Sequence, residues 1–204
     1  MEQNAIGLVL IKQKGYWFTF LFASNCASKL NNEGRDTAVL VVSTGLAPRY
    51  QYPYQLSQGV TALKYLLEET ERNPSDIALI GDSTAGNLVL ALLSHINHPL
   101  QEVQPLQIEE KFGGAILVSP ITDFNAKTSS TITNAKKDWI APSTIPTWGD
   151  NYAGHRERDV YINPTMGSEE WWKDVKVKEV IVLYGEYELS RDSINTWVTK
   201  FKVK

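Results

Sequence analysis

Cysteine is nearly absent from this chain. Among 204 residues Cys26 stands alone, so no internal disulfide can form. Histidine is almost as scarce: the three are His95, His98 and His155, and their spacing makes no metal-ligand pattern with Cys26. No metal and no cofactor is expected. A surplus of positive charge is also missing. Twenty Lys and Arg face twenty-three Asp and Glu, for a net charge of -3, which leaves nothing to neutralise a phosphate backbone and argues against a nucleic-acid partner. Long apolar runs are absent too. Residues 16–23 are apolar but far too short to span a bilayer, and they lack the charged, apolar, small-residue order of a secretory leader. No membrane span is expected, and with no targeting signal the cytoplasm is the default compartment. The chain shows no internal repeat and no low-complexity stretch.

What is present is the ordinary composition of a globular protein, 43% hydrophobic and 21% charged, in a length that suits one domain over residues 1–204. Six Trp and nine Tyr supply material for a core and for pocket walls.

One stretch organises the rest. Ile77-Ala78-Leu79-Ile80 is a short β-branched and apolar run, Gly81-Asp82-Ser83-Thr84-Ala85-Gly86-Asn87 is built of small residues around one serine, and Leu88 to Leu93 is apolar without a breaker. That order predicts strand, sharp turn, helix. The turn has the form Gly-x-Ser-x-Ala, one methyl away from a nucleophile elbow, in which the residues two before and two after the serine nearly touch. Gly81 meets that demand, and Ala85 carries only a Cβ. The helix that follows aims its N-terminal N–H groups and positive dipole end at the serine oxygen. The same residues also suit a plain strand–turn–helix with Ser83 as a helix N-cap.

Around this stretch strands and helices alternate. Strands are expected at 6–11, 37–42, 115–118 and 180–184, and helices at 17–30, 55–69 and 193–201, the last with Ile194, Trp197, Val198 and Phe201 inward. Residues 121–167 show no long periodic run. Their prolines, Ser, Thr, Trp139 and Trp148 suit short helices and loops forming a lid or pocket wall. The alternation predicts an α/β protein with a doubly wound, mostly parallel sheet. Ligands bind outside the carboxyl ends of such strands, where Ser83 and the turn 185–188 are both expected.

Taken together these pieces resemble the α/β-hydrolase fold, in particular the hormone-sensitive-lipase-like esterases and their fungal relatives. The resemblance rests on Gly81-Asp82-Ser83-Thr84-Ala85-Gly86-Asn87, on Leu46-Ala47-Pro48 with Tyr52-Pro53, on Leu117-Val118-Ser119-Pro120, and on Tyr184-Gly185-Glu186-Tyr187-Glu188 through Asp192, in collinear order. It implies a carboxylic-ester hydrolase acting on a small acyl ester, with Ser83 as nucleophile and Glu188 as the acid of a catalytic triad. It implies an oxyanion site from the N–H groups of Thr84 and of the Lys14-Gly15 loop, where the family carries His-Gly-Gly-Gly. It places the histidine base beyond the acid turn, and no histidine follows His155 in this sequence. Strands that precede Ile6 in the family have no counterpart, so the sheet is expected to be incomplete at both ends and to self-associate through an uncovered edge.

Each candidate has a plainer alternative. Glu188 also suits a solvated turn, Asp192 a helix N-terminus, and His95 and His98 the C-terminal end of the elbow helix. His155 is either a stand-in base or a loop histidine. Tyr50 and Tyr52 suit packing. The second functional reading is therefore a non-catalytic remnant that binds an apolar ligand or a protein partner.

Overall fold

Among the described residues five strands, every adjacent pair parallel, form one sheet in the order β2-β1-β3-β4-β5. They are β1 (Ile6–Ile11), β2 (Ala38–Ser43), β3 (Ile77–Asp82), β4 (Gly114–Val118) and β5 (Val180–Leu183). The computed structural model describes residues 6–11, 17–125 and 127–201.

The helices are α1 (Trp17–Asn32), α2 (Tyr54–Lys64), α3 (Thr84–Asn97), α4 (Ser129–Thr133), α5 (Thr144–Ala153) and α6 (Arg191–Lys200). They lie on both faces of the sheet, because side chains alternate along each strand. Val39, Ile80 and Ile116 face Ala23 of α1. Leu40, Leu79, Ala115 and Leu117 point the other way, into the main core with α2 and α3. The α3 helix packs on β1, β3 and β4. It is buried from Thr84 through His95, which explains why its apolar run has no polar stripe. Its neighbour α2 comes close at Gly59, where an added Cβ would stand 3.1 Å from Leu92 Cδ1.

The winding places the site. From β1 the chain moves outward to β2, then returns across β1 to β3 and continues to β4 and β5. The direction of winding reverses between β1 and β3, and the crevice at their carboxyl ends is where such sheets take ligands.

Several boundaries differ from the sequence reading. The helix expected over 55–69 is α-helical only to Lys64 and closes with a π turn, Tyr65–Glu69. Thr70 N–H reaches Tyr65 O, and Thr70 Oγ1 donates to Leu66 O. The second strand begins at Ala38, and the last helix begins at Arg191. Ile194 and Trp197 are buried on that helix, but Val198 is 39% exposed and does not belong to its inner face. Trp197 packs edge-on against Trp172 at 5.8 Å and lies 4.6 Å from the Phe201 ring.

Candidate active site

Ser83 stands between the carboxyl end of β3 and the first residue of α3, with φ 56° and ψ -118°. A side chain at positive φ is strained, and such strain persists only where neighbours hold it. Here the backbone does the holding. Ser83 N–H donates to Val118 O at 2.8 Å, and Ser83 O accepts from Ile121 N–H at 3.1 Å and Asn87 N–H at 3.2 Å.

The small residues around it are not equivalent. A Cβ on Gly81 would lie 2.5 Å from Ala85 O and 2.7 Å from Gly86 N, an overlap with backbone that cannot move aside. A Cβ on Gly86 would meet Pro120 Cβ at 2.8 Å. Ala85 keeps its own methyl, buried, without forcing the turn open. The demand for glycine therefore falls before the serine and against Pro120, not at Ala85.

Glu188 comes to the same place from the turn after β5, at the same carboxyl edge of the sheet. Its Oε1 accepts from Ser119 Oγ at 2.6 Å and from Gly185 N–H at 2.6 Å, and its Oε2 accepts from Ser190 Oγ at 3.2 Å. Three donors fix the carboxylate of half-buried Glu188 behind an exposed turn. Ser83 and Glu188 line one cavity of about 310 Å³, together with Ser119, Asp138, Trp139 and Trp148. Asp192 is instead turned to α4. Its carboxylate accepts Ser130 N–H at 2.7 Å and Arg191 Nε–H at 2.9 Å. Partial burial alone would raise its pKa, but these donors outweigh that and lower it.

The three histidines lie elsewhere. His95 is fully buried inside α3 and is no cap: its Nδ1 accepts Leu100 N–H at 3.0 Å, so Nε2 carries the proton toward Gln104 O at 3.1 Å. Burial lowers its pKa, with the Gln104 bond partly offsetting. His98 is the C-cap residue of α3, its ring stacked 4.0 Å from Trp171 and its Nε2 2.9 Å from Trp171 O. His155 is exposed, and none of the three lines the cavity. Thr84 is buried at the first position of α3, where helical N–H groups have no intrahelical acceptor. Lys14 and Gly15 lie outside the described residues. Tyr52 is buried with its hydroxyl on Asp159 Oδ2 at 2.9 Å, and Tyr50 stacks on Tyr54 at 4.7 Å.

Two residues that sequence reasoning missed hold the site together. Ser119, itself at φ 46°, joins β4 to the acid turn. Asn87, buried one helical turn after Ser83, donates to Ile121 O and Ile162 O, both at 2.8 Å. It thus ties both ends of the 121–162 segment to the elbow helix. Both stood inside motifs already noted, but their partners are 34 to 75 residues away in sequence.

The family described as alpha/beta hydrolase fold matches residues 22–203. The chain belongs to that family. As an alpha/beta hydrolase it is 30% identical, over 184 residues and 81% of its length, to a Schizosaccharomyces pombe protein that bears the name steryl acetyl hydrolase mug81. It is also 30% identical, over 97 residues and 44% of its length, to bovine arylacetamide deacetylase. A hormone-sensitive lipase from a metagenome library shares its fold with a TM-score of 0.75 at 19% identity over 96% of this chain. The chain spans 44% of the yeast relative, 24% of the bovine one and 63% of the metagenomic lipase. The family is one of esterase- and lipase-like hydrolases. Among the described residues no helix is long and apolar enough to cross a membrane, and no group of His, Cys, Asp and Glu is placed to hold a metal.

Proposed function

We propose that this chain carries the nucleophile and the acid of a carboxylic-ester hydrolase acting on small acyl esters. The observation that supports this most is Ser83 held at φ 56° in the mouth of a cavity that Glu188 also lines. In the reaction Ser83 Oγ attacks the acyl carbonyl and an acyl–serine bond forms. The ester C–O bond breaks, and the alcohol leaves with the proton that the serine gave up. Water then releases the acid and restores the hydroxyl. Thr84 N–H, at the positive end of α3, and the Lys14-Gly15 loop are the proposed donors to the oxyanion. Segment 121–167, which contributes Trp139 and Trp148 to the cavity, is the proposed wall around the acyl group.

A triad needs a base between Ser83 and Glu188, and no histidine among the described residues lines the cavity. That observation favours a second reading, an apolar-ligand or protein-binding cavity without turnover. A fluorophosphonate probe separates the two. The hydrolase reading expects a covalent adduct on Ser83 by mass spectrometry, absent in Ser83→Ala. It expects p-nitrophenyl butyrate turnover by the 204-residue chain several powers of ten below that of a complete triad, since the oxyanion donors act without the base. Absence of any adduct sinks the nucleophile assignment. A rapid turnover lost in Ser83→Ala would make His155 the first base to test.

The proposal extends to self-association. β5 is an edge strand among the described residues, and its Ile181 and Leu183 are 52% and 51% exposed. An open apolar edge pairs readily with another chain. Light scattering that finds only monomer at high concentration would remove this part.

A further inference from the structure

We infer that the lip of the Ser83 cavity is a docking surface for anionic phospholipid bilayers. Ile132 and Trp139 are the most exposed large hydrophobic side chains among the described residues, at 80% and 85%. Both belong to segment 121–167, and Trp139 lines the cavity itself. In sequence Lys136 and Lys137 fall between them and Lys127 precedes them, and all three are exposed. Residues 127–140 contain one acid, Asp138, in a chain whose net charge is -3. Asp138 is turned inward, accepting Leu189 N–H at 2.7 Å and Ile140 N–H at 3.3 Å. Lys137 Nζ lies 4.8 Å from the ring centre of Tyr187, another exposed aromatic. Opposing charges nearby are Glu186, exposed on the acid turn, and Asp192, whose carboxylate holds Ser130 N–H at 2.7 Å and pairs with Arg191.

The lip is rigid rather than loose. Buried Asn134, two residues after Ile132, donates to Glu188 O at 3.0 Å and to Glu186 O at 3.3 Å. Ile140, next to Trp139, packs on the main core. Apolar tips held in water cost free energy that docking recovers without ordering a loop. A protein partner of acidic surface would satisfy the lysines and leave the tips to find pockets. A bilayer interface takes both at once. Indole and aliphatic tips enter the acyl boundary, while ammonium groups on flexible stems reach the phosphates. Anionic headgroups add roughly 1 kcal/mol per lysine near the surface, which is about a fivefold gain for each. Docked this way, the mouth beside Ser83 opens onto lipid, and an ester dissolved in the bilayer enters without crossing water. The inference goes beyond the hydrolase reading and does not require turnover.

Flotation of the full chain with phosphatidylcholine vesicles, with and without phosphatidylserine, tests it. The chain is expected to float with the anionic vesicles and far less with the neutral ones. Ile132→Ser and Trp139→Ser are each expected to lower binding by roughly tenfold or more, the loss for withdrawing one large apolar side chain. Lys136→Glu with Lys137→Glu should abolish the preference for phosphatidylserine. Tyr65→Ser removes an exposed aromatic from the π turn after α2 and should change nothing. Circular dichroism melts matching the parent certify that each variant folds. Failure to float with either vesicle overturns the inference. So does flotation that Ile132→Ser and Trp139→Ser leave unchanged, or that Tyr65→Ser lowers equally. Cross-linking from position 139 to a second copy of the chain, without flotation, would assign the lip to a protein contact instead. Hydrolysis is not read in this assay, so an inactive chain that floats leaves the docking intact.

Discussion

Ser119 Oγ donates a 2.6 Å hydrogen bond to Glu188 Oε1, while the residue before it, Val118, accepts the backbone N–H of Ser83. One strand end, that of β4, therefore holds the serine turn with its main chain and the acid turn with a side chain. Removing the hydroxyl should loosen one without the other. Ser119→Ala is expected to cost about 1.5 kcal/mol, the low end for a bond to a charged group because the turn is partly solvated. Chemical denaturation measures it. A double-mutant cycle with Glu188→Gln should show coupling, and strict additivity would mean that the bond is not formed in solution.

The elbow should be intolerant at one end and permissive at the other. Gly81→Ala drives a Cβ to 2.5 Å from Ala85 O, so we expect a loss of about 3 kcal/mol or failure to fold, the upper range for overpacking. Ala85→Gly relieves nothing, and its expected cost is only the helix-propensity loss of about 1 kcal/mol. Equal melting temperatures for the two variants would contradict the geometry.

Ser83 itself carries strain that glycine would not. Ser83→Gly is expected to raise stability by about 1 kcal/mol, because φ 56° suits a residue without Cβ. The same change should abolish fluorophosphonate labelling. A variant that is less stable than the parent would show that the hydroxyl contributes more to folding than the backbone strain takes away.

Acid should weaken the fold through His95. Its pKa is lowered in the folded chain, chiefly by burial, from an ordinary value of 6.5. Between the lowered value and 6.5 the unfolded chain binds more protons than the folded one, so stability rises with pH across that window. The contribution is complete above 6.5 and is lost as pH falls through the window. His95→Gln, which retains a donor near Gln104 O, is expected to flatten the melting temperature between pH 7 and pH 5. A slope unchanged in His95→Gln would assign the acid sensitivity to other groups.

Much of the fold was legible because it is written locally. Continuous apolar runs at 6–11, 77–80, 115–118 and 180–183 are strands of one parallel sheet, and Gly81 with the small residues after it marks a turn whose demands are steric and short-range. Those features follow from covalent geometry and side-chain volume, so the sequence alone determined an alternating α/β chain with Ser83 at a strand–helix turn. Tertiary structure decided what depends on distant partners. Glu188 rather than Asp192 lines the Ser83 cavity because Ser119, 69 residues earlier, holds its carboxylate, while Asp192 is drawn to Ser130. His95 is a buried hydrogen-bonding residue, not a helix cap, because the chain after α3 folds back and brings Leu100 N–H and Gln104 O to its two nitrogens. Asn87 joins the elbow to Ile121 and Ile162, and Val198 stays exposed on a helix whose spacing pointed it inward. Periodicity says which residues share a face. Whether anything covers that face, and which carboxylate finds its donors, is settled only when segments far apart in sequence pack together.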